Sequence, residues 1–509
     1  MPRPGGIEVT FSGRGSSLAR AEALPDTARR SRAGRTRAGG PRGNSFPRAA
    51  SDKREEGILG GTPEVSPVSL ARAEAFGALL TDLYQLTMAQ TYVTEGISER
   101  SATFSLFFRR LSDGWGYAVA AGLDDFLAYL EGLRFAEDDL AYLRSTGLFT
   151  EPFLERLATF RFGGDVRALP EGTLFFPQEP AVEVSGSLLE TQLVETLAIN
   201  LVHLPTLIAS KAARAVDVAR GRQLVDFSLR RTHGGDAGLA VARSSYLAGF
   251  DATSNVLAGH EYGIPLAGTM AHSFVAVFAS ELEAFRAYAR AYPDRCTLLV
   301  DTYDTVEGTR NAIEVGRELA AAGHRLRGVR IDSGDLDELS RRARALLDEA
   351  GFSDAIVFVS GGLDEHDVDR LLDAGVPIGG FGIGSKMGTA AGVGFLDMAY
   401  KLVEFDGRPT LKLSAEKATL PGRKQVRRYQ GYDVLGLANG EDGLLVDVMR
   451  AGERLGGDPL EASRARAQRQ RAALPPAQRT LDAPPYDVRV APELAELRRR
   501  LVSARGRDG

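Results

Sequence analysis

Leu326-Arg327-Gly328-Val329-Arg330-Ile331-Asp332-Ser333-Gly334-Asp335-Leu336-Asp337-Glu338 holds a complete strand-to-helix unit in one short stretch. Residues 326–331 are apolar enough for a buried strand. The residues that follow are polar or glycine, and Asp335 with Glu338 reads as a capping box opening a helix. The pattern recurs at 224–227, 264–267, 296–300, 355–359 and 378–381, and Asp304-Thr305-Val306-Glu307 is another capping box. Repeated βα units of this kind build a parallel sheet. The expected class is α/β: an irregular (β/α) barrel with a second, discontinuous mixed α/β domain.

In a (β/α) barrel the ligand-binding groups gather at the carboxyl ends of the strands. The segments after each run therefore share one surface: Arg230-Arg231-Thr232-His233-Gly234, residues 268–272, 301–304 and 330–335, Ser360-Gly361-Gly362, and Gly382-Ile383-Gly384-Ser385-Lys386. Two cationic and two glycine segments around one centre suit a phosphorylated ligand, since backbone N–H groups at small residues reach phosphate oxygens and arginine offers a planar fork. Gly361, Gly362, Gly382 and Gly384 are the expected phosphate cradle; Arg230 and Arg330 are the expected anion ligands. His272, in Gly268-Thr269-Met270-Ala271-His272-Ser273, stands on a small-residue turn at the rim. An imidazole there can serve as acid, base or phosphoryl acceptor; its plain alternative is a rim histidine bonded to a backbone carbonyl.

Composition excludes several classes. The 509 residues give core enough for two or three domains, and the net charge of −5 creates no field drawing nucleic acid or anionic membrane. A single cysteine, Cys296, precludes an intrachain disulfide and a cysteine-rich zinc site, and within its apolar run it reads as a buried structural thiol. No apolar stretch reaches the length of a spanning helix. A cytoplasmic protein with neither membrane nor nucleic-acid partner is expected.

Residues 1–68, rich in Arg, Gly and Ala, lack hydrophobic periodicity and are expected to be disordered. A mixed α/β domain is expected over 69–215, with a helix over 78–92, a strand over 102–108 and a helix over 122–130. Strands at 172–176 and 181–184 are expected to pair across Pro177 and Pro180. A helix over 188–198 should give way near Pro205 to a longer one ending near Gly221. The barrel domain is expected over 216–400. Residues 401–450, with a hairpin signal at Asp406-Gly407, should return to the first domain, and 451–509 read as a charged helix and tail.

Five motifs in order carry a family resemblance: Leu80-Thr81-Asp82-Leu83-Tyr84-Gln85-Leu86-Thr87-Met88, Phe227-Ser228-Leu229-Arg230-Arg231-Thr232-His233-Gly234, Gly268-Thr269-Met270-Ala271-His272-Ser273, Arg330-Ile331-Asp332-Ser333-Gly334-Asp335 and Phe381-Gly382-Ile383-Gly384-Ser385. Together they resemble nicotinate phosphoribosyltransferases over roughly residues 70–450. The resemblance implies that nicotinate and 5-phosphoribosyl pyrophosphate give nicotinate mononucleotide and pyrophosphate, driven by ATP, as the first step of NAD salvage from nicotinate.

It implies that His272 is transiently phosphorylated and that Phe227 and Tyr84 stack on the two faces of the pyridine ring, Tyr84 coming from the other subunit of a homodimer. Arg330 and Asp332 join His272 in the implied catalytic set, with Arg230, Thr269, Ser333 and Gly334 binding substrate. Asp332 suits the ribose hydroxyls or pyrophosphate-bound Mg²⁺, and Asp301 and Asp304 are further candidates for metal or ATP. Ser254 falls where related nicotinamide enzymes carry an aspartate, and a neutral hydroxyl does not repel a carboxylate. The rival readings are quinolinate or nicotinamide phosphoribosyltransferase, which substrate competition separates, and a catalytically silent ligand-binding scaffold.

Overall fold

The computed structural model describes residues 77–412, 419–440 and 442–505. The extension expected over 1–68 lies outside them. Six strands, Gln223–Asp226, Ala252–Thr253, Thr297–Leu299, Gly328–Ile331, Ile356–Ser360 and Gly380–Ile383, form one curled sheet. Named by first residue, their order across the sheet is 252, 223, 380, 356, 328, 297. Every neighbouring pair runs parallel. Val329, Ile331, Val357, Val359, Phe381 and Ile383 are buried, as strands covered on both faces require. The sheet stays open as a half barrel. The run 264–267 contributes a bridge between Leu266 and Thr253 rather than a full strand, because Pro265 has no N–H to donate and the Leu266 side chain is exposed.

The crossover helices Thr305–Ala321, Leu336–Glu349 and Glu365–Asp373 begin at Asp304, Asp335 and Asp364, whose carboxylates accept backbone N–H groups of the first turn. Asp304 is thus a helix cap. Glu365, 2% exposed, receives Lys211 Nζ at 2.8 and 3.0 Å and Arg214 Nε at 3.4 Å. Both cations project from the long helix Glu195–Val218, so this buried cluster anchors the element that follows Gly361-Gly362.

A second, antiparallel sheet has seven strands in the order Arg408–Pro409, Met398–Phe405, Ser101–Phe108, Pro180–Ser187, Asp165–Ala168, Val446–Arg450, Glu453–Arg454. Chain from before and after the parallel sheet therefore meets in it. A three-stranded sheet joins Lys424–Tyr429 and Tyr432–Leu437 to Asp487–Val490. No helix of the described residues is long and apolar enough to cross a membrane.

Local expectations are corrected in four places. The strand at Leu174–Phe175 pairs with Ala118–Val119, whereas Pro180–Ser187 pairs with Ser101–Phe108 and Asp165–Ala168, so the two do not form a hairpin with each other. The helix expected from residue 78 starts at Leu83. Pro205 does not interrupt Glu195–Val218, and the break comes earlier, at Val194. Lacking an N–H, Pro205 leaves the Leu201 carbonyl without its helical donor. Gly122, at φ +91°, packs its backbone there, where a Cβ would come within 2.1 Å of that oxygen. Among the described residues after 451, the helix Leu460–Ala473 is docked rather than trailing: its Arg471 is buried, donating to Asp217 Oδ1 at 2.7 Å and to the Ala248 carbonyl at 3.0 Å.

Candidate active site

The strand ends enclose a cleft of about 320 Å³ lined by Phe227, Leu229, Arg230, Ser254, Gly268, Thr269, Met270, Ala271 and Arg330. Phe227 directly follows the strand Gln223–Asp226, and its N–H donates to the Ile383 carbonyl at 2.9 Å. The ring fits because the adjacent strand has glycine opposite: a Cβ at Gly382 would lie 2.5 Å from two of its carbons. Gly382 is paired in register on both sides, with Val225 and Ser360. Its smallness therefore makes room for the aromatic wall, a role beside the one in the phosphate cradle expected of Gly361, Gly362, Gly382 and Gly384. At Gly361, φ +94°, a Cβ would sit 1.9 Å from the Asp332 carbonyl oxygen, so this turn presses directly on the backbone of the neighbouring strand end.

Arg330 is held on every side. Its Nε donates to Ser360 Oγ at 2.8 Å, Nη1 to Thr269 Oγ1 at 3.2 Å and the Met270 carbonyl at 3.4 Å, and Nη2 to Asp332 Oδ1 at 2.5 Å. The guanidinium carbon lies 5.2 Å from the centroid of Phe227, a cation–π distance. Arg330 thus offers the cleft its charge and one remaining Nη2 N–H, not the free two-toothed fork expected from sequence. Arg230, on the exposed 3₁₀ turn Leu229–Arg231, is the cleft arginine with its side chain open to solvent.

Burial would raise the Asp332 carboxyl, but the Ser360 hydroxyl and the Arg330 guanidinium, with a smaller contribution from His272, outweigh it and hold the group below the usual carboxylate range. Asp332 N–H and the Ser333 hydroxyl both donate to Asp301 Oδ2, at 2.9 and 2.6 Å. Asp301 Oδ1 is buried without a hydrogen-bond partner. Gly334, at φ +83°, turns the chain from Ser333 toward the cap Asp335.

His272 begins the short helix His272–Ala276 and is half-buried, its Nδ1 3.2 Å from Thr302 Oγ1. The ring is thus steered by a hydroxyl from the next strand end, not by the backbone carbonyl of the plain alternative. Below Ser254, the buried Asp226 accepts from Ser228 N–H at 2.9 Å and Thr253 Oγ1 at 2.8 Å, while its own carbonyl accepts from Ser254 N–H at 2.9 Å. Burial raises the Asp226 carboxyl despite these donors. Tyr84, 47% exposed on the helix Leu83–Thr94, contributes nothing to the cleft of its own chain.

A second, wider cleft of about 1030 Å³ includes Arg110, Lys211, Arg214, His366 and Lys386 in its walls. Lys386 Nζ is 2.8 Å from a carboxylate oxygen of both Asp364 and Asp367.

Sequence reasoning missed Ser360, Thr302 and Asp226. Ser360 and Thr302 stand in segments already marked as strand ends; Asp226 carries a signal of its own, an acidic residue inside an apolar run. Cys296 is fully buried and its thiol is pushed up to about 12 by burial, which leaves it inert as expected.

Comparison with known proteins decides the family. The nicotinate phosphoribosyltransferase N-terminal domain profile matches residues 79–203, and the quinolinate phosphoribosyl transferase C-terminal domain profile matches residues 208–399. Nicotinate phosphoribosyltransferase pncB2 of Mycobacterium tuberculosis is 49% identical over 447 residues, covering 84% of this chain and 96% of the relative. The chain belongs to the nicotinate phosphoribosyltransferase family. Another member, from Bacillus subtilis, is 46% identical over 360 residues, 69% of this chain and 73% of the relative. The crystal structure of human nicotinic acid phosphoribosyltransferase superposes with a TM-score of 0.72 at 32% identity, covering 83% of this chain and 99% of that one. The nicotinate-nucleotide pyrophosphorylase structure from Pyrococcus furiosus, at 22% identity and a TM-score of 0.64, shares the fold. The architecture is therefore the family's: a half-barrel parallel sheet beside an antiparallel sheet assembled from both ends of the chain.

Proposed function

We propose that this enzyme joins nicotinate to 5-phosphoribosyl pyrophosphate, forming nicotinate mononucleotide and pyrophosphate, with ATP hydrolysis driving the equilibrium through transient phosphorylation of His272. The observation that carries the reading is the cleft in which Phe227, the clamped Arg330 and Ser254 meet beside the His272 turn. An aromatic face suits a flat, electron-poor ring, and Arg330 supplies positive charge for its carboxylate. The neutral Ser254 imposes no repulsion on an acid, which favours nicotinate over nicotinamide.

Phe227 and Arg330 orient the pyridine nitrogen toward the anomeric carbon, which is a proximity contribution to an oxocarbenium-like displacement. Gly361, Gly362 and Gly384 offer backbone to the ribose 5-phosphate, and Asp332 faces the ribose hydroxyls. Thr302 orients the His272 ring for phosphoryl transfer. No cluster of three or more metal-binding side chains occurs among the described residues. Mg²⁺ carried by the pyrophosphate is a hard cation that keeps several waters and takes one or two carboxylates, of which Asp332 is the candidate here. Asp301, whose Oδ1 has no hydrogen-bond partner, is a further candidate to hold the ion, which would neutralise the charge of the departing phosphates.

The working form is a homodimer in which Tyr84 completes the pyridine sandwich in trans, consistent with its exposure and its absence from its own chain's cleft. The reaction is assigned to the cytoplasm, with no nucleic-acid or membrane partner.

The test is product formation from the purified protein with phosphoribosyl pyrophosphate, Mg²⁺ and nicotinate, nicotinamide or quinolinate, each with and without ATP. Nicotinate mononucleotide formed together with ADP is expected. His272→Ala should lose ATP-coupled turnover while keeping its thermal melting profile. Coupling that survives the substitution removes the phosphohistidine.

A further inference from the structure

Ser360 ends the strand Ile356–Ser360 and is 2% exposed, yet its single hydroxyl serves two charged side chains from the neighbouring strand end. Its oxygen accepts Arg330 Nε at 2.8 Å and its proton is donated to Asp332 Oδ1. Arg330 Nη2 meets that same Asp332 oxygen at 2.5 Å, closing a three-membered ring of contacts. A serine hydroxyl has one proton to give, and here it is spent on Asp332, so its rotor is fixed by both partners.

The consequences reach the cleft. Arginine has five N–H groups. Ser360, Thr269, the Met270 carbonyl and Asp332 take four of them, leaving one on Nη2 for a ligand. Without the Ser360 oxygen, Nε has no acceptor, and the guanidinium is free to turn off the Phe227 face. Without its proton, Asp332 loses its hydroxyl donor and keeps only the arginine. The next residue reinforces the coupling, since the Gly361 backbone is pressed against the Asp332 carbonyl.

We propose that Ser360 is a positioning residue of the phosphoribosyl transfer, a hydroxyl hub that fixes Arg330 and Asp332 relative to each other and to the Phe227 wall. It touches no substrate and acts through the two residues it joins. Supporting groups of this kind hold a reacting constellation to within a fraction of an ångström, and losing one costs on the order of 10- to 100-fold in rate. The inference rests on the reading of Arg330 and Asp332 as substrate-facing groups.

The experiment uses full-length Ser360→Ala, Ser360→Thr and Asp332→Asn, with kcat and KM measured separately for nicotinate and phosphoribosyl pyrophosphate, and thermal melting beside them. Ser360→Ala should lower kcat by roughly 10- to 100-fold with a smaller change in either KM, since alignment and not a ground-state contact is lost. Ser360→Thr retains the hydroxyl and should recover most of that loss. Ser360→Ala kinetics within threefold of the parent overturn the proposal, as does a folded Ser360→Thr enzyme no better than the alanine variant. Should Ser360→Ala not fold, Ser360→Cys, nearly the same size but a poor donor, is read by the same criteria. Asp332→Asn tells the two failures apart: parent-like kinetics there remove the site reading and the proposal together, whereas a crippled Asp332→Asn beside a parent-like Ser360→Ala removes Ser360's role alone.

Discussion

Gly382 and Phe227 as a pair set the shape of the cleft wall proposed to hold the base. A methyl at position 382 would stand 2.5 Å from Cδ2 and Cε2 of the ring, too close to be absorbed without displacing Phe227. Gly382→Ala is therefore expected to raise the KM for nicotinate about tenfold while leaving the KM for phosphoribosyl pyrophosphate nearly unchanged. Steady-state kinetics with each substrate varied decides between this role and a phosphate cradle, which predicts the opposite split. The sequence marks Gly382 as special but not what it faces, because the ring arrives through the parallel register of Gly380–Ile383 on Gln223–Asp226, a pairing between segments far apart in the chain. Arg330 shows the same limit. Its place at a strand end is legible; three of the partners that use up its donors, Ser360, Thr269 and Met270, lie 30 to 61 residues away and follow only from the folded chain.

Among the elements, the long helix Glu195–Val218 and the helix Glu365–Asp373 are joined by a buried charge cluster instead of apolar packing alone. Glu365 balances Lys211 and Arg214, and all three side chains are buried. Removing the carboxylate leaves two cations in low dielectric with no counter-charge, a change that typically costs about 3–5 kcal/mol. Glu365→Ala should accordingly lower the melting temperature markedly, and Glu365→Gln, which keeps the acceptor oxygen, less so; differential scanning calorimetry of both variants checks the order. Five strands of the parallel sheet were legible because each is a short apolar run ended by polar residues or glycine; the sixth, Ala252–Thr253, is two residues long and carries no such run. The end of the Glu195–Val218 helix was legible but its start was not, since proline normally breaks a helix and here Pro205 stands inside one, with Gly122 packed against the Leu201 carbonyl it leaves without a donor.

At the scale of the whole molecule, distant parts of the chain are joined by groups whose charge state matters. Glu179 is fully buried, accepts Phe176 N–H at 2.9 Å through Oε2, and leaves Oε1 without a partner. Burial, followed by the negative Asp433 across the joint, pushes its carboxyl well above the ordinary glutamate value, and Arg428 only partly opposes this. A raised carboxyl binds a proton in the folded state that the unfolded chain has already released. Its stabilising effect is thus complete below the ordinary glutamate value, about pH 4.3, and fades as pH rises toward the raised one. Glu179→Gln keeps a neutral acceptor and donor at every pH. It should raise the melting temperature by roughly 2–4 °C at pH 8 and by less at pH 5, and equal gains at both would rule out a titrating Glu179.

The proposed composite site would extend the same principle beyond one chain. A chain carrying Tyr84→Ala retains its own His272, and a chain carrying His272→Ala retains its own Tyr84. If each cleft takes its second aromatic wall from the other subunit, both homodimers are impaired, while the mixed dimer has one cleft that combines an intact His272 with an intact Tyr84 and one that lacks both. Unfolding and refolding the two variants together, which pairs chains at random, should therefore recover about a quarter of the parent activity, since half of the dimers are mixed and each has one good cleft of two. The control is the same mixture combined without refolding. Equal activity in the two preparations, with dimers present in both, would place Tyr84 outside the neighbouring cleft.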